Sequence, residues 1–167
     1  DIFCDHMPSM NNRYYTFENY AQAHYDNIFT PEERTGAWEL KAYQMQSCYI
    51  ENLGEGQFKI MPLPLEAQFA PVNDIALDDF DGDGHQDILL VGNFFANHYQ
   101  YGSFDALKGL LLTGNSHGTF TPQSIATSGF FAPKDAKSLT LLKHHQTGST
   151  WYLVGNNNDS LQVFQRK

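Results

Sequence analysis

The stretch of sequence that decides the fold is IALDDFDGDGHQDILLV, which runs from Ile75 to Val91. Its centre is an acidic loop containing two glycines, and a short apolar run lies on each side. Short apolar runs bounded by turn residues are typical of buried β-strands. The stretch therefore predicts two strands joined by a tight acidic loop.

The acidic loop carries carboxylates at alternating positions, a spacing that lets them point at one centre. Asp79, Asp81, Asp83 and Asp87 would supply side-chain oxygens, and the backbone carbonyl of His85 would supply another. A cage of hard oxygen donors suits Ca²⁺, whereas Mg²⁺ has a smaller octahedral shell and usually keeps several waters. The loop therefore predicts a calcium site.

Two other interpretations of the loop were weighed. An EF-hand needs a glutamate at its twelfth position and helices on both sides, but Leu90 stands there and both flanks predict strands. An acidic turn that binds nothing would leave four carboxylates within nine residues to repel each other, unless a cation or a basic partner offsets them. Because no Lys or Arg lies between Lys59 and Lys108, the sequence favours a metal ion, with Asp87 closing its shell.

Composition limits the classes of partner. The chain has 167 residues and a formal net charge of −9, which disfavours nucleic acid and anionic membranes as partners. No apolar stretch approaches the roughly 20 residues of a membrane helix, and the N-terminus does not resemble a signal peptide. The two cysteines do not form a disulfide framework. We expect Cys4 and Cys48 to be free thiols, with Cys48 buried, although pairing stays open.

The first third of the chain differs from the rest. Apolar residues at helical spacing predict a short amphipathic helix between Tyr15 and Phe29, and Thr30-Pro31-Glu32-Glu33 has the pattern of a helix start with a capping box. We therefore assign residues 1–36 to an N-terminal helical cap or insertion, with a partner-binding helix as the alternative. Residues 37–167 form the second domain.

From Ala37 onward, short apolar runs alternate with Gly, Asn and Pro turns, which indicates a mainly β fold. Trp38 and Trp151 stand in strand contexts and are predicted to be core residues. The strands are predicted near residues 37–50, 57–61, 73–78, 87–93, 109–113, 119–123, 138–142, 150–155 and 160–165.

The β region also repeats itself, since three tripeptides recur in the same order at offsets of 62, 62 and 63 residues. They are Gly56-Gln57-Phe58 with Gly118-Thr119-Phe120, Phe69-Ala70-Pro71 with Phe131-Ala132-Pro133, and Val91-Gly92-Asn93 with Val154-Gly155-Asn156. Such a period predicts four-stranded units that bury each other. The second copy lacks the carboxylates, because Lys143, His145, Thr147 and Thr150 stand where the first has aspartates. The aspartates are therefore not needed merely to turn the chain.

These hairpins and the acidic loop resemble FG-GAP/VCBS repeat proteins, whose calcium-bearing blades build propellers like the head of the integrin α chain. The resemblance covers residues 37–167. It implies four-stranded antiparallel blades, a Ca²⁺ ion held between two strands of a blade, and an extracellular, periplasmic or cell-surface setting. Nine strands make about two blades, which is too few to close a ring. We therefore expect a partial propeller, the C-terminal part of a longer one, or a piece that covers its strand edges by self-association.

Other motifs do not point to catalysis. The run Gly114-Asn115-Ser116-His117-Gly118 matches a nucleophile elbow, but a strand rather than a helix is predicted after it. The pair His144-His145 lacks further ligands at zinc spacing. The run Asn156-Asn157-Asn158-Asp159 is interpreted as a hairpin with a left-handed asparagine rather than as a second metal loop. The aromatic connection over residues 94–104 either packs beneath itself or contacts a partner.

The sequence thus favours a non-enzymatic calcium-binding β-repeat module of a secreted or cell-surface protein. It would recognise a protein or glycan partner, and its calcium would be structural. Two alternatives stay open: a part of a hydrolase or other enzyme built on a larger propeller, and a purely structural segment.

Overall fold

The computed structural model describes residues 6–145 and 148–166. The chain divides into two compact units, Asp1–Tyr43 and Gln44–Lys167. The sequence pattern places the boundary earlier, after residue 36. Residues 37–43 form no strand and group with the first unit.

The first unit contains three short helices, α1 (Phe17–Ala21), α2 (Tyr25–Ile28) and α3 (Pro31–Arg34), after a 3₁₀ turn at Pro8–Asn12. The single helix predicted between residues 15 and 29 is therefore wrong. His24 is extended, with φ −98° and ψ 157°, and interrupts the helical hydrogen-bond ladder between α1 and α2. The predicted apolar face is not buried either, because Phe17 is 80% exposed.

The predicted capping box of α3 is confirmed. The Glu33 amide donates to Thr30 Oγ1 over 3.3 Å, and the Thr30 amide donates to Glu33 Oε2 over 2.9 Å. Arg13 Nη1 also donates to Glu33 Oε2 over 2.9 Å. The hydrogen bonds from Arg13 and then from Thr30 lower the pKa of Glu33 to about 2. This carboxylate joins the start of α3 to the turn that follows Pro8–Asn12.

The second unit is mainly β. It contains nine strands and one short helix, α4 (Ile125–Ser128), which lies between the sixth and seventh strands. The strands are β1 (Cys48–Gly54), β2 (Gln57–Pro62), β3 (Val72–Asp78), β4 (Asp87–Gly92), β5 (Leu110–Thr113), β6 (Thr121–Gln123), β7 (Ala136–Lys143), β8 (Thr150–Asn156) and β9 (Gln162–Gln165).

The strands form three antiparallel sheets in the orders β1-β2, β3-β4-β5-β6 and β7-β8-β9. None of the three closes on itself among the residues that the structure describes. The mainly β fold is therefore confirmed, and the blade arrangement stays a prediction.

The strand prediction is correct except at its first member. Residues 37–47 form no strand, and β1 begins only at Cys48. Trp38 is not a core residue, because it is 92% exposed, and Trp151 is half-buried. Cys48 is a free thiol that is half-buried rather than buried. Cys4 lies outside the described residues. The apolar run around Trp38 lacks a strand to pair with, and burial follows pairing.

Strand β4 lies at the centre of the second unit, with every residue buried. Its alternating side chains enter two different cores. Leu89 and Val91 join a cluster with β7 and β8, whereas Ile88 and Leu90 join a cluster with β5 and the segment after β2. An unbroken apolar run is typical of a strand that is covered on both faces. The four-stranded sheet is therefore an inner layer.

Polar side chains join this sheet to β7-β8-β9. The fully buried Asn93 donates through Nδ2 to the carbonyls of Leu107 (2.7 Å) and Lys134 (3.0 Å) and accepts the Leu107 amide at Oδ1 (3.0 Å). Asp74 Oδ2 accepts the amide of Leu139 over 2.7 Å. A buried polar group is costly unless it is hydrogen-bonded. These bonds therefore specify one relative placement of the two sheets.

The strand registers show the repeat directly. The pair Tyr49↔Met61 in β1-β2 recurs as Leu111↔Gln123 in β5-β6, at an offset of 62 residues. The hairpins β3-β4 and β7-β8 share a bulge, and there the offset is 64. The predicted equivalence of Asp87 with Thr150 is therefore off by one, because the pair Asp78↔Asp87 corresponds to Leu142↔Trp151.

The double burial of β4 predicts the cost of truncating it. Leu90 is 1% exposed, and Leu90→Ala is expected to lower the free energy of unfolding by about 2–5 kcal/mol. The matched control is Leu53→Ala in β1, where the side chain is 55% exposed and the change should stay within about 0.5 kcal/mol. Urea unfolding measures both. Equal losses would contradict the two-core arrangement.

The contacts of Glu33 predict an acid transition in the first unit. Folding lowers the pKa of this carboxyl from 4.5 to about 2. Its stabilising contribution is therefore complete above the unfolded value and is lost as the pH falls through the folded value. An NMR titration of the Glu33 carboxyl should show the low pKa, and Arg13→Gln should raise it. An unchanged titration in Arg13→Gln would show that Arg13 is not the cause.

Candidate metal centre

The acidic loop connects β3 to β4. Asp78 pairs with Asp87 in the antiparallel register, so the loop comprises residues 79–86 and its two ends are held together. The strands on both sides confirm the predicted strand-loop-strand arrangement. The loop is therefore presented at one end of the inner sheet.

Three of the predicted ligands come together in this loop. Asp79, Asp81 and Asp87 each offer a carboxylate oxygen, and the three oxygens lie within 4.8 Å of one another. Oxygens that bind Ca²⁺ lie about 2.3–2.6 Å from the ion, so two opposite ligands are about 4.6–5.2 Å apart. The spacing in the loop is compatible with one such ion. The carboxylates, all hard oxygen donors, also fit it chemically.

The other two predicted ligands stand apart from this cluster. Asp83 is exposed, and its Oδ1 accepts the amide of His85 over 2.8 Å. His85 was predicted to contribute its backbone carbonyl rather than its ring. Both residues follow the cluster directly along the loop, and their part in binding stays a prediction.

Asp87 is the buried member of the cluster. Its side chain is fully buried, and both oxygens accept backbone amides at 2.7 Å: Oδ2 from Phe80 and Oδ1 from Gly114. A carboxylate oxygen has two acceptor sites, so each oxygen retains one for a metal ion. Asp87 therefore connects the acidic loop to the turn after β5 in addition to facing the cluster.

The exposed aspartates are also hydrogen-bonded within the loop. Asp79 accepts the amides of Gly82 (2.7 Å) and Gly84 (3.0 Å), and Asp81 accepts the amide of Asp83 (3.1 Å). Gly82 and Gly84 both have φ of 86°, a conformation that costs other residues more. The backbone amides thus offset part of the carboxylate crowding and preorganise the loop.

Gly114 allows two segments to approach closely. A Cβ at this position would lie 2.2 Å from the carbonyl oxygen of Gln86, the residue before Asp87. Any larger residue would force these backbones apart and would lengthen the bond from the Gly114 amide to Asp87. The sequence analysis interpreted Gly114 only as part of a hairpin, and no local pattern reveals this contact.

Two further contacts of the loop come from distant parts of the chain. Arg166 Nη1 donates to the carbonyl oxygen of Asp79, which places a cation beside the acidic loop. The hydroxyl of Tyr152 donates to Asp78 Oδ2 over 2.7 Å, and its ring lies 4.9 Å from that of Phe80. Burial and then this bond raise the pKa of Tyr152, which keeps its phenol protonated as a donor.

The contact of Arg166 bears on the charge argument for the loop. No basic residue lies near the loop in sequence, and the fold supplies one from the end of β9. Electrostatic crowding alone therefore does not require a metal ion. The geometric cluster remains the observation that favours one.

The remaining motifs have the predicted structural roles. The run containing Ser116 is a turn between β5 and β6, and no helix follows it directly. Asn158 has φ of 52°, which confirms a left-handed asparagine in the β8-β9 turn. His145 is an exposed turn residue, and Thr147 lies outside the described residues. Within the described ranges, no second group of potential metal ligands was found.

The aromatic connection between β4 and β5 is exposed. Tyr99 is 83% exposed and Tyr101 64%, and the ends of the connection meet in a single bridge between Phe94 and Phe104. The interpretation that these rings pack beneath the loop is therefore wrong for the two tyrosines. Each ring instead lies near the His98 ring, at centroid distances of 4.4 Å and 6.0 Å.

Comparison of the chain with protein-family models, with curated proteins and with solved structures gave no match. No helix of the described residues has the length and apolar character needed to cross a bilayer.

The hydrogen bonds of Asp87 predict a role that does not depend on metal. In Asp87→Asn one of the two amide donors would face an NH₂ group, and the free energy of unfolding should fall by about 1–3 kcal/mol in chelator. Asp83→Asn is the matched control, because Asp83 is exposed and its change should be small. Urea unfolding in EDTA measures both. Equal stability of the two variants would contradict a structural role for Asp87.

Proposed function

We propose that the second unit is a calcium-binding β-repeat module of the FG-GAP/VCBS type, and that its ion is structural. The cluster of Asp79, Asp81 and Asp87 at the start of the doubly buried strand β4 carries this proposal. An ion held there would fix the acidic loop to the inner sheet.

The structural role follows from the two functions of Asp87. Its carboxylate faces the cluster and also accepts the amide of Gly114, beyond β5. An ion bound to Asp79 and Asp81 would therefore connect the loop to the β5-β6 turn through Asp87. Such a link restrains loop positions without requiring any reaction at the ion.

The proposed fold is a partial propeller. In this arrangement β3-β4-β5-β6 is one complete four-stranded blade, β7-β8-β9 is three strands of the next, and β1-β2 is the outer pair of the preceding one. The shared registers and the burial of β4 between two cores support it. Consecutive blades pack face to face, which is the contact that both cores provide.

The proposed setting is extracellular, periplasmic or cell-surface, with recognition of a protein or glycan partner. Extracellular modules bind calcium with dissociation constants of about 10⁻⁴–10⁻³ M, which suits a site with few buried carboxylates. The exposed rings of Tyr99 and Tyr101 on a connection of the inner sheet support a recognition role. The net charge of −9 argues against nucleic acid as the partner.

The calcium proposal is tested by thermal unfolding with calcium and with chelator. At tenfold excess over the dissociation constant, calcium should stabilise the unit by about 1.4 kcal/mol and raise Tm by a few degrees. Magnesium should have a smaller effect because its shell is smaller. An unchanged Tm would show that the loop is a hydrogen-bonded turn with Arg166 as its counter-charge.

Three variants assign the ligands. Asp81→Asn should abolish most of the calcium response, because Asp81 is a cluster member without a structural bond to the sheet. Asp83→Asn should weaken it if Asp83 completes the shell. Asp105→Asn, an exposed aspartate outside the loop, is the matched control and should respond like the unchanged protein. A full response in Asp81→Asn would place the ion elsewhere.

A further inference from the structure

A cleft of about 670 Å³ lies between the two larger sheets. Leu111 of β5 lines one side, Tyr152 and Phe164 of β8 and β9 line the other, and Ala126 of α4 lies at its edge. Leu111, Tyr152 and Phe164 also belong to or pack against the core between these sheets. The cleft is thus a direct continuation of an established apolar interface.

The corresponding position in the neighbouring interface is filled. There Phe120, which leads into β6, packs against the core that contains Ile88 and Leu112, and its ring lies 5.5 Å from that of Tyr49 in an edge-to-face contact. Phe120 therefore closes the gap between β1-β2 and the inner sheet.

The strand registers relate the two positions residue by residue. Leu111 corresponds to Tyr49 at the offset of 62 residues. The pair Tyr152↔Phe164 joins β8 to β9 as Ile88↔Leu112 joins β4 to β5. The cleft therefore reproduces the walls of the Phe120 site. The counterpart of β6, which would deliver the aromatic ring, is not found among residues 6–145 and 148–166.

The outer edge of β9 is open to such a strand. Its counterpart β5 pairs with β6, whereas β9 pairs only with β8 in the described part of the chain. The strand Gln162–Gln165 contains no charge, proline or bulge, the features with which proteins usually protect an edge. An extended peptide can therefore add to it through backbone hydrogen bonds.

We propose that the β9 edge and the cleft together bind an extended strand of a partner polypeptide, which places an aromatic side chain in the cleft between Leu111 and Phe164. The two outer strands of this chain show the required pattern, since each follows Gly-x-Phe, at Gly56-Gln57-Phe58 and Gly118-Thr119-Phe120. This docking surface follows from the sheet geometry and does not depend on the calcium site.

The test titrates the full chain with a fluorescein-labelled peptide of residues 55–62, which has the pattern and the length of an outer strand. Fluorescence anisotropy should show saturable binding. The same peptide carrying Phe58→Ala should bind about tenfold or more weakly, because burial of a Phe side chain contributes about 1.5–3 kcal/mol. No saturable binding up to the solubility limit of the peptide, or equal binding of both peptides, would overturn the proposal.

Two protein variants locate the bound ring. Ala126→Trp fills the cleft from the exposed face of α4 and should weaken binding about tenfold or more. Ile125→Trp adds the same ring to the neighbouring position, which does not line the cleft, and should leave the affinity unchanged. Equal affinities of the two variants would overturn the assignment of the cleft.

The titration is performed with calcium and again with chelator. Binding in either condition supports the strand proposal, and loss in both overturns it, whatever the outcome for calcium. Sedimentation without peptide tests for a second copy as the occupant. A dimer that Ala126→Trp dissociates would replace the partner peptide by the chain itself and would overturn the proposal in this form.

Discussion

The buried carboxylate of Asp87 is the interaction on which the rest of the second unit depends. A buried charge is costly unless hydrogen bonds or an ion compensate it, and here two amides from different segments do so. One belongs to the acidic loop and the other to the turn after β5. The carboxylate thereby fixes where β4 begins, how the loop closes and how the next hairpin approaches.

This constraint acts at the end of a strand that is covered on both faces. Because β4 contributes to two cores, any shift at its first residue would move side chains in both. Asn93 stands immediately after the other end of the strand and joins its buried amide to backbone on both sides of the sheet interface. Two buried polar residues therefore bracket one apolar strand, and they set its register as well as its position.

The sequence was informative where the signal is local. Alternation of apolar runs and turn residues located eight of the nine strands, and the Thr30-Glu33 pattern located a helix start. It failed where burial depends on a partner: the run around Trp38 has no strand to pair with, and the helix expected before Phe29 is interrupted at His24. The repeat was found from tripeptides, but its offset within β7 and β8 required the bulge that only the hydrogen bonds reveal.

For the candidate site, the sequence by itself determined the donor chemistry, because aspartates at alternating positions of a glycine-containing loop are carboxylate ligands wherever the loop lies. Only the tertiary structure decided which of them converge, since Asp79, Asp81 and Asp87 meet while Asp83 stands apart. It also supplied Arg166 and Gly114, which come from other strands and carry no local signal. Contacts between residues far apart in the chain depend on how sheets stack, and stacking is a property of the whole core.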